Sequence, residues 1–512
     1  MPKTIIAYDL GTGGNKASLY DADGKCLAGV FVPYDTVYPQ AGWHEQRPAD
    51  WWDAVVESTN KLLADPAVNP DDIECLAISG HSLGCVPLDA DGTVLRAATP
   101  IWSDKRPTTQ LDEFFAKVDP VRWYRLTGNG FPAPHYTVFK IMWYRDNEPE
   151  MFARLDKIIG TKDFVNYRLT GRINTDFSYA SGSGVYDLLG WDYSDELIEA
   201  AGLRREMFPN IVPSTQILGE LTPEAAGLLG LPQKIKVAAG GVDNSCMALG
   251  ARNIAEGRVY TSLGSSSWIA VSSDKPLLED DTKPYVFTHV MPGMFTSAIG
   301  VFSTGTSFRW LRDNVCANLV AEAEQDGGNV WEKMIAAAGA SPLGAKKLIF
   351  NPSLAGGSSA EASPHIRGGF LGLDLGHTQA DLIRAAMEGI AMNLRTALDG
   401  LRNLCEICDE MVAVGGGSQS PLWQQIYADA LKIKMVKTNV GQEAGSLGAA
   451  AVAAIGAGLW DDFAKIDEVH QLQGVAEPIA ENVEKYEKLL PLFRRAAVTQ
   501  AELGDMLEEL DL

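Results

Sequence analysis

The stretch Thr4-Ile5-Ile6-Ala7-Tyr8-Asp9-Leu10-Gly11-Thr12-Gly13-Gly14-Asn15-Lys16-Ala17-Ser18-Leu19-Tyr20 decides how this chain is read. Thr4–Leu10 is an apolar run of strand length, a glycine-rich turn follows, and Lys16–Tyr20 resumes as a second strand. Asp21-Ala22-Asp23-Gly24 then turns the chain into a third strand near Cys26–Val32. Glycines at such a tip let backbone N–H groups reach phosphate oxygens without a Cβ in the way. Lys16 adds positive charge there, and Asp9 at the strand end is placed to hold Mg²⁺ through water. A plain hairpin with no ligand fits the same residues, and the turn is neither a Walker A loop nor a dinucleotide GxGxxG.

Working outward, a helical stretch Trp51–Leu63 follows Pro48 and Asp50, and a strand Ile73–Ser79 runs into the turn His81–Gly84. The second half repeats the grammar. Lys236–Ala239 is a strand ending in Gly240-Gly241, with a helix from about Asp243. Arg258–Leu263 and Trp268–Val271 form a hairpin around Gly264-Ser265-Ser266, and Met294–Ile299 is a further strand. Gln379–Leu401 reads as a long helix, Met411–Val414 as a strand ending in Gly415-Gly416-Gly417, and Pro421–Leu431 and Glu443–Ile455 as helices. Two hairpins with Gly/Ser/Thr tips imply a duplicated α/β domain with a ligand cleft between the copies, the boundary falling near Leu249.

Asp243 has two readings. A carboxylate at the end of an apolar strand and the start of a helix suits a base that receives a hydroxyl proton during phosphoryl transfer, and it suits an N-cap equally well. The three glycines at 415–417 give a flat site for a nucleobase or phosphate, or a tight turn with no ligand.

The composition sets limits. A length of 512 residues exceeds one hydrophobic core. The net charge of -23 argues against nucleic-acid and anionic-membrane partners. No long apolar run appears, and the N-terminus turns polar too soon for a signal peptide. The 7 cysteines, an odd number scattered along the chain, fit reduced thiols in a cytoplasm. Cys405 and Cys408 form one CxxC without a second pair, which reads as structural thiols on a helix. Trp43, Trp51 and Trp52 read as packing residues.

Taken in order, several segments resemble the FGGY family of carbohydrate kinases and its xylulokinase-like branch. They are Asp9-Leu10-Gly11-Thr12, Trp43 to Trp52, Ile101-Trp102-Ser103-Asp104, Lys140-Ile141-Met142-Trp143, Gly241-Val242-Asp243-Asn244, Ser262-Leu263-Gly264-Ser265, and Gly415 to Gly448. The resemblance runs from Asp9 to about Gly458. It implies two actin/hexokinase-like (ribonuclease-H-like) domains, a sugar-binding one at 1–249 and a nucleotide-binding one at 250–512. It implies ATP and Mg²⁺ as cofactors, domain closure, and Asp243 as catalytic base, with Asp9 and Asp243 at the metal.

For the nucleotide, the matching positions are Thr12, Gly13, Lys16, Gly264, Ser265, Ser266 and Gly305 around the phosphates, with Gly416, Gly417 and Ser420 against adenosine. For the sugar they are His81, Ser82, Leu83, Trp102, Asp104 and Asn244, with Trp268 as an apolar wall. Tyr136 and His135, just before Lys140, are further candidates from the sequence. The chain departs from the branch at Leu83, where a His is usual, at Gly13, where Ser or Thr is common, and at Ala355–Ala360, which lacks the usual Glu-Arg pair.

The expected function is therefore ATP-dependent phosphorylation of a small ketose or polyol, a pentulose first. Ribulose, an erythritol-type polyol and glycerol are the alternatives on the same chemistry. A non-catalytic actin-like ATPase is the reading from another class. Partners are then a small sugar, neither nucleic acid nor membrane, with monomer and homodimer both open.

Overall fold

A computed structural model describes residues 3–358 and 361–510. The chain forms two compact units that interleave along the sequence. The first extends to Ala255 and adds Ser272–Ser297 and Glu443–His470; the second holds Glu256–Val271, Ala298–Gln442 and the residues from Gln471 onward. The expected domains, 1–249 and 250–512, meet close to where the first long segment ends, and two later segments, Ser272–Ser297 and Glu443–His470, pack across that boundary. The physical reason lies in a helix, Ala444–Ala457, that packs on the Asp243–Gly250 helix of the first unit. The two helices touch through glycine: a Cβ on Gly250 would fall 1.8 Å from the Ala444 carbonyl oxygen, and one on Gly448 1.8 Å from that of Cys246.

The first unit is built on seven strands: β1 (Thr4–Gly11), β2 (Gly14–Asp21), β3 (Cys26–Pro33), β4 (Ile73–Gly80), β5 (Ile217–Glu220), β6 (Lys236–Ala238) and β7 (Gly241–Val242). Their order is β5-β6-β4-β1-β2-β3, with β7 also pairing β4. β1 runs antiparallel to β2 and parallel to β4, so Asp9 lies opposite Lys16 on one side and Ser79 on the other. Ile5, Ile6, Ala7 and Tyr8 are all fully buried, the continuous apolar run expected of a strand covered on both faces. The helix Pro48–Leu63 covers one face. It opens with Pro48 in its first turn, earlier than Trp51, because proline gives up no needed N–H there. Trp51 and Trp52 are buried packing residues, and Tyr8 OH pairs with Thr59 Oγ1 at 2.7 Å.

The second unit repeats the plan. Its strands β8 (Val259–Leu263), β9 (Ser267–Ser273), β10 (Glu410–Val414), β11 (Lys434–Thr438) and β12 (Leu472–Ala476) lie in the order β9-β8-β10-β11-β12. β8 is antiparallel to β9 and parallel to β10, β11 is parallel to β10, and β12 is antiparallel to β11. These directions match β2-β1-β4-β6-β5 strand for strand. Long helices at Gln379–Arg402, Pro421–Leu431 and Ala480–Glu508 complete this unit, the last absorbing most of the acidic tail.

Cys405 and Cys408 lie in the turn after the Gln379–Arg402 helix rather than on a helix, and all seven cysteines are free thiols. Among the described residues no helix is long and apolar enough to cross a membrane.

Candidate active site

In parallel sheets, ligand chemistry collects at the carboxyl ends of the strands, where side chains leave the sheet and helices begin. The first unit places two carboxylates there. Asp9 sits near the end of β1, in register with Ser79 of β4; Gly241 of β7 is in register with that same Ser79, and Asp243 follows two residues later at the helix start. Ser79 Oγ donates to Asp9 Oδ1 at 2.8 Å, and Gly445 leaves the other side open, since a Cβ there would lie 3.0 Å from Asp9 Oδ2.

The electrostatics single out Asp243. Burial pushes its carboxyl up to about 7, the Asn244 N–H (2.8 Å from Oδ1) pulls it down, and the charge of Asp9 pushes it up again. Asp9 is also raised by burial, opposed by the Ser79 hydroxyl and the Lys16 charge. Two carboxylates that repel each other at a half-open edge fit a divalent cation held largely by water and phosphate. Among the described residues no three His, Cys, Asp or Glu side chains cluster as an all-protein metal site.

Around the first hairpin tip, Gly13 is exposed with nothing near its Cα, and Lys16 Nζ is 3.0 Å from Glu443 Oε1. Thr12 Oγ1 accepts from Trp102 Nε1 at 2.9 Å, and the Trp102 carbonyl pairs with His135 Nδ1 at 2.8 Å. The structure thus gathers Thr12, Trp102 and His135, while Lys16 stands beside Asp9.

Among the other expected sugar residues, Asp104 and Tyr136 are committed to the protein. The Asp104 carboxylate is fully buried and accepts from His44 N at 2.7 Å and from Arg106 N, Nε and Nη2. Tyr136 is a core residue whose OH accepts from Phe131 N at 2.9 Å. His81 is buried with its ring edge-on to Trp51; Nδ1 meets Thr161 Oγ1 at 3.3 Å and Nε2 has no partner among the described residues. Burial lowers its pKa to about 4, so it is neutral near pH 7. Ser82 is buried beside it. Leu83 takes a left-handed backbone (φ 61°) and turns its side chain into the core. Buried Lys140 holds that turn, donating to the carbonyls of Leu83 at 3.0 Å and Ile101 at 2.7 Å. Asn244 sits half-buried at the helix start.

The second unit carries a cavity of about 830 Å³ at the carboxyl ends of β8 and β10. Gly264, Ser265, Gly305, Gly416, Gly417 and Ser420 line it together; Ser266, whose carbonyl accepts from Gly264 N, and Trp268, whose Nε1 donates to Tyr260 OH at 3.0 Å, do not. Gly415 takes φ 89° with its Cα against the Leu263 backbone, so the glycine run is forced by close approach to β8. Ser420 caps the Pro421–Leu431 helix by accepting from Trp423 N.

Sequence reasoning missed the cavity's aromatic wall. Phe308 stacks on Trp331 at 5.8 Å, and Trp423 lies parallel to Tyr427 at 5.9 Å. Thr304 Oγ1, Trp423 Nε1 and Tyr427 OH are buried there without partners among the described residues, which marks the wall as built for something able to hydrogen-bond. The i, i+4 spacing of Trp423 and Tyr427, just after an N-cap Ser and Pro421, was the available signal. Of the stretch Ala355–Ala360, Ser359 and Ala360 lie outside the described residues.

Comparison with known proteins agrees with this layout. Residues 4–250 match the N-terminal domain of the FGGY family of carbohydrate kinases and residues 259–457 match its C-terminal domain. The chain is 30% identical to the xylulose kinase of Bacillus subtilis over 99% of both sequences. The xylulose kinase structure from Rhodospirillum rubrum superposes with a TM-score of 0.88 at 27% identity, covering 98% of this chain and 100% of that one. A gluconate kinase structure from Lactobacillus acidophilus reaches 0.87 at 26% identity, covering 98% and 99%. A duplicated sheet plan, carboxylates at one set of strand ends, a glycine-lined cavity at the other and these full-length likenesses lead to one statement: the chain belongs to the FGGY family of carbohydrate kinases and is a sugar kinase.

Proposed function

We propose that the protein transfers the γ-phosphoryl group of ATP to a hydroxyl of a small ketose, xylulose first, with Asp243 as the general base. The observation that carries this reading is the placement of two buried carboxylates at one sheet edge, Asp9 near the end of β1 and Asp243 just past β7, on either side of β4. A carboxylate whose proton affinity is raised by burial takes up a proton readily once the hydroxyl begins to attack. In the reaction the hydroxyl oxygen bonds to the γ-phosphorus, the bond to the β–γ bridging oxygen breaks, ADP leaves, and the hydroxyl proton passes to Asp243. Mg²⁺, held through Asp9, neutralises charge on the phosphates. The Thr12–Gly13 tip and Lys16 supply donors to the phosphates; on the second unit Gly264 and Gly305, whose N–H groups are taken by the Ser266 and Gly264 carbonyls, keep side chains clear of the nucleotide beside Ser265. Adenosine lies in the aromatic cavity against Gly416, Gly417 and Ser420, where its ring nitrogens and ribose hydroxyls meet the unpaired Trp423, Tyr427 and Thr304 groups.

Xylulose leads because of the relatives' names; the burial of Leu83 keeps other acceptors in view, since its position offers no polar contact. Seven free thiols suit a reducing cytoplasm. The test is ADP release from Mg-ATP against xylulose, ribulose, erythritol, glycerol and gluconate, with Asp243→Ala as control. One strong acceptor, silenced in the variant, supports the reading. Activity unchanged by Asp243→Ala removes Asp243 as base, and a dominant acceptor other than xylulose reassigns the sugar.

A further inference from the structure

We propose that Lys162, Asp176, Ser178 and Asn166 are positioning residues for Asp243, gripping at both ends the short main-chain segment that delivers it. The inference rests on Asp243 acting as the base. Asp176 is fully buried and its carboxylate is saturated. It meets Lys162 Nζ at 3.0 Å and accepts from Ser214 Oγ at 2.7 Å, Ser178 N at 2.9 Å and Ser178 Oγ at 2.5 Å. Having given its proton to Asp176, the Ser178 hydroxyl is free to accept, and Val242 N–H donates to it at 3.0 Å. Val242 is the residue before Asp243 and the N-cap of its helix.

The upstream end is held by the same group of side chains. The Ala239 carbonyl accepts from Asn166 Nδ2 at 2.8 Å and from Lys162 Nζ at 3.3 Å, while Asp163 takes the remaining charge of Lys162 at 2.5 Å. Between the two grips the chain has no slack. Gly240 sits at φ 73° with its Cα so close to β4 that a Cβ would lie 2.1 Å from the Ile78 oxygen. On Gly241 a Cβ would lie 3.1 Å from Ser178 Oγ. Apolar packing could fill the same volume, but only a polar network can hold one N–H and one carbonyl of a strand end in fixed places. Three groups of the network, Ser178 Oγ, Asn166 Nδ2 and Lys162 Nζ, end on that segment, which makes it a device for placing Asp243 rather than a general brace.

The experiment compares Ser178→Ala with Ser214→Ala. Both strip one hydroxyl from Asp176, and only the first releases Val242. Ser178→Ala lowers kcat about 10- to 100-fold, as a base displaced by a fraction of an ångström to 1 Å would, with KM for sugar and Mg-ATP within about threefold. Ser214→Ala stays within about threefold of wild type in kcat. In the background of Asp243→Asn, adding Ser178→Ala slows the enzyme no further, because the group being positioned is already disabled. Equal losses in the two serine variants, or a full additional loss in the double variant, overturn the proposal. Where Ser178→Ala fails to fold, Asn166→Leu cuts the grip on Ala239 instead and must lower kcat in the same way; an unchanged kcat there overturns it too. If Asp243→Asn keeps wild-type kcat, it is the base assignment that falls; if Asp243→Asn is dead and Ser178→Ala is not impaired, the positioning inference alone falls.

Discussion

The two units share a strand plan and differ in what they put at its carboxyl edge. In the first, the hairpin tip Gly11–Gly14 and the neighbouring strand ends bring Asp9, Lys16 and Asp243 together, all charged or chargeable and partly open. In the second, the equivalent tip Gly264–Ser266 carries no charge, and the edge opens into a cavity walled by Phe308, Trp331, Trp423 and Tyr427. One strand plan thus carries charged side chains at its edge in one unit and an aromatic-walled cavity in the other. The contrast shows that strand order sets where the open edge lies, while a handful of residues past each strand sets its chemistry.

The largest expected effect falls on the charged edge. Asp243→Ala lowers kcat by about 10³-fold or more in steady-state assays, with KM for the sugar little changed, because the base acts only as the hydroxyl ionises. A loss spread evenly over kcat and KM would blur the contrast by giving Asp243 a binding role as well. Next comes the apolar edge: Gly416→Val projects a side chain into the cavity from a site whose nearest neighbour, Gln442 Nε2, is 3.9 Å from a new Cβ. KM for ATP rises about 10- to 100-fold while KM for the sugar holds, and an unchanged KM for ATP would break the assignment of the second unit to the nucleotide.

The third prediction concerns stability, and its sign is opposite to the first. Asp243 binds its proton more tightly folded than unfolded, so its charge weighs against the native state increasingly as pH rises from about 4 to about 7. Asp243→Asn removes that penalty. In metal-free buffer it is more stable than wild type at pH 8, by at most ~4 kcal/mol, and indistinguishable near pH 4, as thermal unfolding at the two pH values would record. A variant less stable at pH 8 would mean that the carboxylate is well solvated. The smallest effect belongs to Lys16→Ala. The pair with Glu443 is partly exposed and contributes under ~1 kcal/mol to stability, so the unfolding midpoint barely moves, while kcat drops several-fold if Lys16 reaches the phosphates.

Both tips, both glycine-ended strands and Asp243 were legible in the sequence because each is a local pattern: an apolar run, a turn residue with a special backbone, then a polar group. What remained hidden depends on partners far along the chain. Asp104 looks like a ligand-binding carboxylate until Arg106 and His44 are seen to use it fully. Tyr136 shares that fate, and His81 is buried with only one ring nitrogen bonded, since burial is not written in a turn motif. Trp423 and Tyr427 could have been found from their shared helix face, but nothing local tells a cavity wall from a core. The link from Lys162 through Asp176 to Val242 joins three segments with no common periodicity, and only the fold brings them into line.

The excursion of Glu443–His470 back into the first unit bears on how the protein is made. The Ala444–Ala457 helix covers the strands that carry Asp9 and closes against the helix of Asp243 through Gly250 and Gly448, so the first-synthesised unit lacks a wall until translation has passed residue 457. A ribosome-bound chain ending near residue 255 would present an unfinished hydrophobic sheet and is a candidate chaperone client. The strand ends that carry Asp9 and Asp243 therefore gain this cover only near the end of synthesis.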